Sequence, residues 1–321
     1  MNLRLGMIGT GRIARRFATD GWQTSGAELT AVYNPREESV TRFAGEHAIP
    51  CGTMDWNLFL AQTDAVYVAA PPGVHGSYVE KLLRAGKHVL CEKPMVLNRK
   101  EAEKLFELAK KKNLILMEAI KTACCPGFQK LTEVVKNGCI GELRDVEATF
   151  TKLVRPGVRE LVDRKCGGSL TELGSYGCFA VLRLFGCDFE KVHFSVQRSR
   201  TGMDIFTRVF FEYPGERASG IATAGLGVKS EGELIVSGTQ GYIVARAPWW
   251  MTSHFEVRYE NPEQRDVYDF PFVGNGLQYE LHTFLDRIRG KVGNGWVTPE
   301  ESIALAGVME NFLEREIIQR K

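Results

Sequence analysis

The sequence predicts an α/β N-terminal domain built on a mostly parallel, doubly wound sheet, followed by an α+β domain with a large, mainly antiparallel open sheet. Three observations carry that prediction. A glycine-rich turn, Gly9-Thr10-Gly11-Arg12-Ile13-Ala14, lies between an apolar run at residues 3–8 and a helical pattern. Apolar strands then alternate with helical stretches to about Glu118, the pattern of a parallel sheet covered by helices. Beyond about Ala119 the period shortens to two, as at residues 145–150 and 205–211, which suits an antiparallel sheet with one covered face. The expected domains are therefore residues 1–120 and residues 121–321.

The first strand and turn make a dinucleotide-binding fingerprint of the Rossmann kind. Gly9 permits the tight strand-to-helix turn, Gly11 lets backbone approach a pyrophosphate, and the small Ala14 lets the helix pack on its strand. The phosphates would meet unpaired N–H groups at the helix N-terminus. A second strand at residues 28–33 arrives about 20 residues past the glycines, as a βαβ unit requires. Its end should carry the residue that reads the adenosine ribose. An acidic side chain there would accept from the ribose hydroxyls and repel a 2′-phosphate, yet the chain offers Asn34-Pro35-Arg36. Asn34 can donate to a phosphate oxygen and Arg36 can pair with it, so NADP is favoured over NAD, with both left open.

Further strands are expected at residues 64–70, followed by a helix after Pro71-Pro72, and at residues 87–91, which runs into Glu92-Lys93-Pro94. Asn98 with Glu101 three residues on resembles a capping box, and Leu105, Leu108 and Ala109 give the helix that follows its inner face. In the second domain, strands are expected at residues 233–237, 242–245 and 255–259, with a closing helix at residues 299–318.

At 321 residues the chain is long enough for two domains. Its 41 basic and 39 acidic residues leave a formal charge of +2 with no basic block, which argues against nucleic acid or a membrane surface as partner. No apolar run approaches a bilayer span and the N-terminus enters a strand directly, so a reduced, cytoplasmic protein is expected. Eight cysteines show no CxxC pair. Adjacent Cys124 and Cys125 lack the nearby ligands that zinc needs, and no metal is expected. The open sheet could serve a homo-oligomer, a dimer or tetramer.

Four motifs carry a family resemblance: the N-terminal Gly9-to-Ala14 turn, Ala70-Pro71-Pro72-Gly73-Val74-His75, the run from Ala85 to Pro94, and Gly167-Gly168-Ser169-Leu170. The chain resembles the glucose–fructose oxidoreductase and inositol dehydrogenase (Gfo/Idh/MocA) family of NAD(P)-dependent enzymes over nearly its whole length, most closely the dihydrodiol and sugar dehydrogenase branch. The resemblance implies that Lys93 lies beside the nicotinamide and the substrate hydroxyl, where its ammonium would stabilise negative charge on oxygen. Glu92 would orient or charge-balance Lys93, and Pro94 would stiffen the turn. His75 falls where the family approaches the nicotinamide, with a purely structural role equally open. His88 is read as a packing residue.

Glu172 and Tyr176 are four apart on an expected helix and share one face, with Leu170, Leu173, Val181 and Leu184 opposite. Family members commonly carry Asp at the first position and His or Tyr at the second. Tyr176 is the candidate acid/base and Glu172 a candidate substrate contact, displaced by about one methylene relative to Asp. The branch usually carries Trp and Arg where this chain has Lys121 and Ala123, so Lys121 either replaces the lost positive charge or reads a different substrate. Lys152, Arg155, Arg159 and Asp163 are possible substrate readers or a solvated loop. The expected activity is hydride transfer between nicotinamide and a hydroxyl or carbonyl carbon of a small-molecule sugar, cyclic polyol or diol. The alternative is a non-catalytic NAD(P)-binding redox sensor or regulatory protein; Lys93 and Tyr176 favour the enzyme.

Overall fold

The fold is taken from a computed structural model, which describes residues 2–22, 26–216, 218–291, 293 and 295–319. The chain forms two compact units: residues 1–96, 100–124 and 273–299, and residues 97–99, 125–272 and 300–321. Residues 273–299, which the sequence assigned to the second domain, cluster with the first.

The first unit is built on β1 (Leu3–Ile8), α1 (Arg12–Arg16), β2 (Ala27–Tyr33), α2 (Glu37–Glu46), β3 (Cys51–Thr53), α3 (Trp56–Ala61), β4 (Ala65–Val68), α4 (His75–Arg84), β5 (His88–Glu92), α5 (Arg99–Lys111), β6 (Leu116–Ala119) and α6 (Lys121–Cys124). Its sheet has the order β3-β2-β1-β4-β5-β6, and every pairing is parallel. All four residues of β4 are buried, as expected of a strand covered on both faces. The order reverses between β1 and β4, the place where ligands meet doubly wound sheets. Both the glycine turn after β1 and the Ala70-Pro71 loop after β4 lie there.

Two local departures shape the site. Helix α1 gives way at once to a π-helical turn, Phe17–Gly21, whose Phe17 stacks on the buried strand residue Tyr67 with ring centroids 4.1 Å apart. The segment after Pro71 opens as a 3₁₀ turn, Pro72–Val74, before α4 begins.

The second unit contains α7 (Pro126–Lys136), β7 (Leu143–Thr151), α8 (Arg159–Val162), α9 (Ser175–Phe185), β8 (Lys191–Arg198), β9 (Asp204–Glu212), β10 (Ser219–Gly225), β11 (Leu234–Gly238), β12 (Tyr242–Ala245), β13 (His254–Arg258) and β14 (Arg265–Asp269). In the chain order, α10 (Leu277–Ile288) then belongs to the first unit and α11 (Pro299–Gln319) closes the chain. The eight-stranded sheet runs β14-β13-β12-β11-β7-β10-β9-β8. It is antiparallel except for β7 with β10, which pair in parallel. Helix α9 lies on β7 and β10. Gly177 makes that close approach possible, because a Cβ there would stand 3.0 Å from Ala222 Cβ and 3.2 Å from the Ala148 carbonyl. A buried ion pair, Arg183 with Glu301 at 2.5 and 2.7 Å, ties α9 to α11, and Asn98 with the Arg99 N–H reaches Glu310 of the same helix.

Candidate active site

In the first unit, Gly9 has φ +108° and its N–H donates to the Tyr33 carbonyl at 3.0 Å. Gly11 is the N-cap of α1, no side chain caps that helix, and a Cβ on Gly11 would meet nothing within 4 Å. Open space therefore faces uncapped N–H groups, the arrangement that fits a pyrophosphate. Thr10 and Ile13 are half-buried beside it, Arg12 is exposed, and Ala14 is fully buried against the sheet. Asn34 Nδ2 donates to Thr10 Oγ1 at 2.9 Å while its Oδ1 accepts the Arg36 N–H at 2.9 Å. Asn34 thus ties the end of β2 to the glycine turn, and the Arg36 side chain is exposed.

The Glu92-Lys93-Pro94 loop is pinned at several points. Tyr67 O–H donates to Glu92 Oε1, and the Lys93 N–H donates to Glu92 Oε2 at 3.3 Å. Met95 N–H donates to the buried Glu118 at 2.9 Å. His75 is buried with one ring nitrogen 2.9 Å from the Pro94 carbonyl and the other 2.7 Å from the Ala70 carbonyl. That location gives His75 a structural task, bracing the loop after β5 against the loop after β4. Between Cys91 and Val96 only Lys93 escapes full burial. Burial raises the pKa of Glu92, an effect opposed by Lys93, by the Tyr67 phenol and by Lys121. His88 is half-buried, its Nδ1 accepts the Ile115 N–H at 2.9 Å, and burial lowers its pKa, all consistent with a neutral structural imidazole.

In the second unit, residues 170–174 form a π turn rather than the expected α-helix, and α9 starts at Ser175. The turn is anchored by Asp204, which is buried on β9 and accepts the Leu170 N–H and the Thr207 hydroxyl, each at 2.9 Å. Ser169 Oγ donates to the Asp204 carbonyl at 3.1 Å and accepts the Leu226 N–H at 3.1 Å. Gly168 has φ +100° and backs directly onto the Asp204 carboxylate, leaving no room for a side chain. From Gly168 to Leu182 every residue is buried except Glu172 and Tyr176. Those two, expected from spacing to share a face, are the half-buried residues of this run, and Leu184 just beyond it is half-buried as well.

Glu172 pairs with Arg159, which also lies 3.6 Å from Asp163. Arg159 and Asp163 are therefore grouped with Glu172, whereas Lys152 and Arg155 are exposed. The Tyr176 ring packs on Phe150 at 5.4 Å, and Phe150 in turn stacks on Trp250 at 3.6 Å. Neither Asp204 nor Tyr67 was singled out by the sequence; a buried acid at a strand start and a tyrosine inside an apolar strand look like ordinary strand residues. Cys124 and Cys125 are buried.

Residues 3–120 match the oxidoreductase family described as having an NAD-binding Rossmann fold, and residues 128–244 match the GFO/IDH/MocA C-terminal domain. Trans-1,2-dihydrobenzene-1,2-diol dehydrogenase of Macaca fuscata fuscata is 31% identical over 325 residues, 97% of this chain and 96% of that protein. The chain belongs to the GFO/IDH/MocA oxidoreductase family. It is an NAD(P)-dependent oxidoreductase, as the sequence implied. Another relative, scyllo-inositol 2-dehydrogenase (NADP(+)) IolU of Bacillus subtilis, is 29% identical over 323 residues, 96% of this chain and 95% of that one. The same fold is found in KijD10, a 3-ketoreductase from Actinomadura kijaniata in complex with NADP and TDP-benzene, with a TM-score of 0.82 at 23% identity over 97% of this chain and 96% of that one. Among the described residues no helix is long and apolar enough to cross a membrane.

Proposed function

We propose that this oxidoreductase transfers hydride between the nicotinamide of NADP and a hydroxyl or carbonyl carbon of a sugar, cyclic polyol or diol, with Tyr176 as acid/base and Lys93 as its electrostatic partner. One observation carries the reading: two otherwise buried segments each release only polar, chemically competent side chains, Lys93 from residues 91–96 and Glu172 with Tyr176 from residues 168–182. The bound cofactor supplies or accepts the hydride. The chain's own residues do the rest. In the oxidising direction Tyr176, entering as the phenolate, takes the hydroxyl proton as the carbon loses hydride, and in the reducing direction the Tyr176 phenol gives that proton to the nascent alkoxide, which the Lys93 ammonium stabilises. Glu172, held by Arg159, is suited to accept a hydrogen bond from a neighbouring substrate hydroxyl rather than to carry the exchanging proton. Hydroxyl-rich substrates are supported by the named activities of the relatives, on a dihydrobenzenediol and on scyllo-inositol.

A panel of sugars, inositols, cyclic diols and their keto forms, followed by NADPH absorbance in both directions, tests the activity. Turnover of at least one polyhydroxylated or keto compound is expected; cofactor binding with complete inertness across the panel would favour a redox sensor instead. Reduced cytoplasmic residence and a homo-oligomer built on the open sheet belong to the same proposal.

Preference for NADP rests on Arg36, because no carboxylate occupies the end of β2. Replacing Arg36 with Ala should weaken NADPH binding roughly tenfold, the size of one charge-assisted contact, and leave NADH binding unchanged. Equal effects on both nucleotides in a fluorescence titration would remove Arg36 as the phosphate reader.

A further inference from the structure

Besides Glu92 and Glu118, the first unit holds a third buried carboxyl that the reaction as proposed does not use. Glu280, on α10, is 1% exposed, and neither of its oxygens has a hydrogen-bond partner. Helix α10 packs on α6, on β5 and on the 17–21 turn, so Glu280 shares its neighbourhood with Glu92 at the end of β5 and with Lys121 on α6. Lys121 itself donates to the Asn275 carbonyl at 2.7 Å, just ahead of α10.

Glu118 accepts the Met95 N–H, and the other two buried carboxyls are treated very differently by their surroundings. Glu92 receives the Tyr67 phenol and the Lys93 N–H and stands beside the Lys93 ammonium. Glu280 receives no donor. A buried carboxylate without a donor carries the full cost of lost solvation, and two adjacent buried carboxylates repel, so the proton belongs on the member that lacks donors. Burial and then the neighbouring Glu92 push the Glu280 pKa well up, and Lys121 opposes them.

We propose that Glu280 is a positioning residue that holds a proton in the resting enzyme, forming with Glu92 a one-proton carboxyl pair behind Lys93. Its value rests on the proposed role of Lys93. With Glu280 neutral, the cluster carries one negative charge fewer than with Glu92 and Glu280 both ionised. That difference favours negative charge developing on an alkoxide. Lys121 thereby supplies a half-buried positive charge where the branch usually carries Trp.

Infrared difference spectroscopy of the full chain at neutral pH tests the assignment without any substrate, so it stands apart from the fate of the proposed activity. A carboxylic acid C=O stretching band should be present in the wild-type protein, absent in Glu280→Gln and retained in Glu92→Gln. In wild-type protein labelled with ¹³C at the glutamate side-chain carboxyl, one resonance should keep a protonated chemical shift at neutral pH, which covers the case of a variant that fails to fold. For turnover, Glu280→Ala should lower kcat roughly tenfold by letting the pair relax, and the neutral isostere Glu280→Gln should recover most of that loss. A protonated-acid signal that survives in Glu280→Gln, or one that is missing from the wild type, would overturn the assignment. So would a glutamine variant as slow as the alanine one.

Discussion

Tyr176→Phe should lower kcat by about two to four orders of magnitude while NADPH binding and thermal stability stay near wild type, because general acid/base catalysis contributes on that scale. The structure makes the substitution a clean one. Tyr176 is half-buried, its ring packs on Phe150 at 5.4 Å, and a phenylalanine preserves that contact while deleting only the hydroxyl. The segment that carries it is held by Asp204, Ser169 and Gly168, none of which touches the phenol oxygen in making those bonds. Loss of rate would therefore reflect the missing proton carrier rather than a displaced turn. A stopped-flow measurement of the hydride-transfer step with a turned-over substrate decides the matter: retention of most of the rate would leave Tyr176 as a packing residue and require another acid.

The charge arrangement in the first unit sharpens that expectation. Lys93 is the one residue of its loop that reaches solvent, and its backbone is fixed by the Glu92 carboxylate, by His75 against Pro94 and by Glu118 against Met95. In the proposed reaction a lysine on such a braced loop would act as a preorganised cation, losing little by reorganising as charge develops on oxygen.

Much of this arrangement was legible in the chain because it depends on local chemistry. The glycine turn after β1 follows from backbone demands, and Glu172 and Tyr176, picked out by spacing, are half-buried in an otherwise buried run even though residues 170–174 form a π turn. What escaped depends on contacts between distant segments. Strand β10 reads Ser-Gly-Ile-Ala-Thr-Ala-Gly, a composition with weak strand preference, yet it lies inside the sheet, paired on both sides with β7 and β9. Its small residues are there because α9 presses on it: Gly220 faces Val181, and Ala222 faces Gly177. Strands β8 and β14, at the two edges of the sheet, carry polar and charged residues that blur the apolar alternation. The return of residues 273–299 to the first unit, and with it the burial of Glu280, has no local signature, since a glutamate in an amphipathic helix reads as a solvated one.

The two glycines of the nucleotide turn give the second large effect, and they separate stability from binding. Gly9→Ala places a side chain at φ +108° and 2.5 Å from the Ala69 carbonyl oxygen. That carbonyl cannot move away freely, because the Ala69 N–H is bonded to the Ile8 carbonyl of β1 at 2.8 Å. Left-handed strain of about 1–2 kcal/mol and backbone overpacking of about 1–3 kcal/mol together predict a loss of roughly 2–5 kcal/mol, read as a fall in Tm of about 5–15 °C. NADPH binding should fail with it. Gly11→Ala is the contrasting case: its φ of −80° is ordinary and its Cβ meets no protein atom within 4 Å, so Tm should stay within about 2 °C of wild type. Its Cβ would nonetheless occupy the space a pyrophosphate needs against the uncapped N–H groups of α1, and NADPH affinity should fall by tenfold or more on the order of one lost charge-assisted hydrogen bond. Calorimetry and titration on the two variants therefore read different things. If Gly11→Ala bound NADPH as tightly as the wild type, the phosphates would have to lie elsewhere than over this turn; if Gly9→Ala kept its Tm, the turn would have an alternative conformation that spares the Ala69 carbonyl.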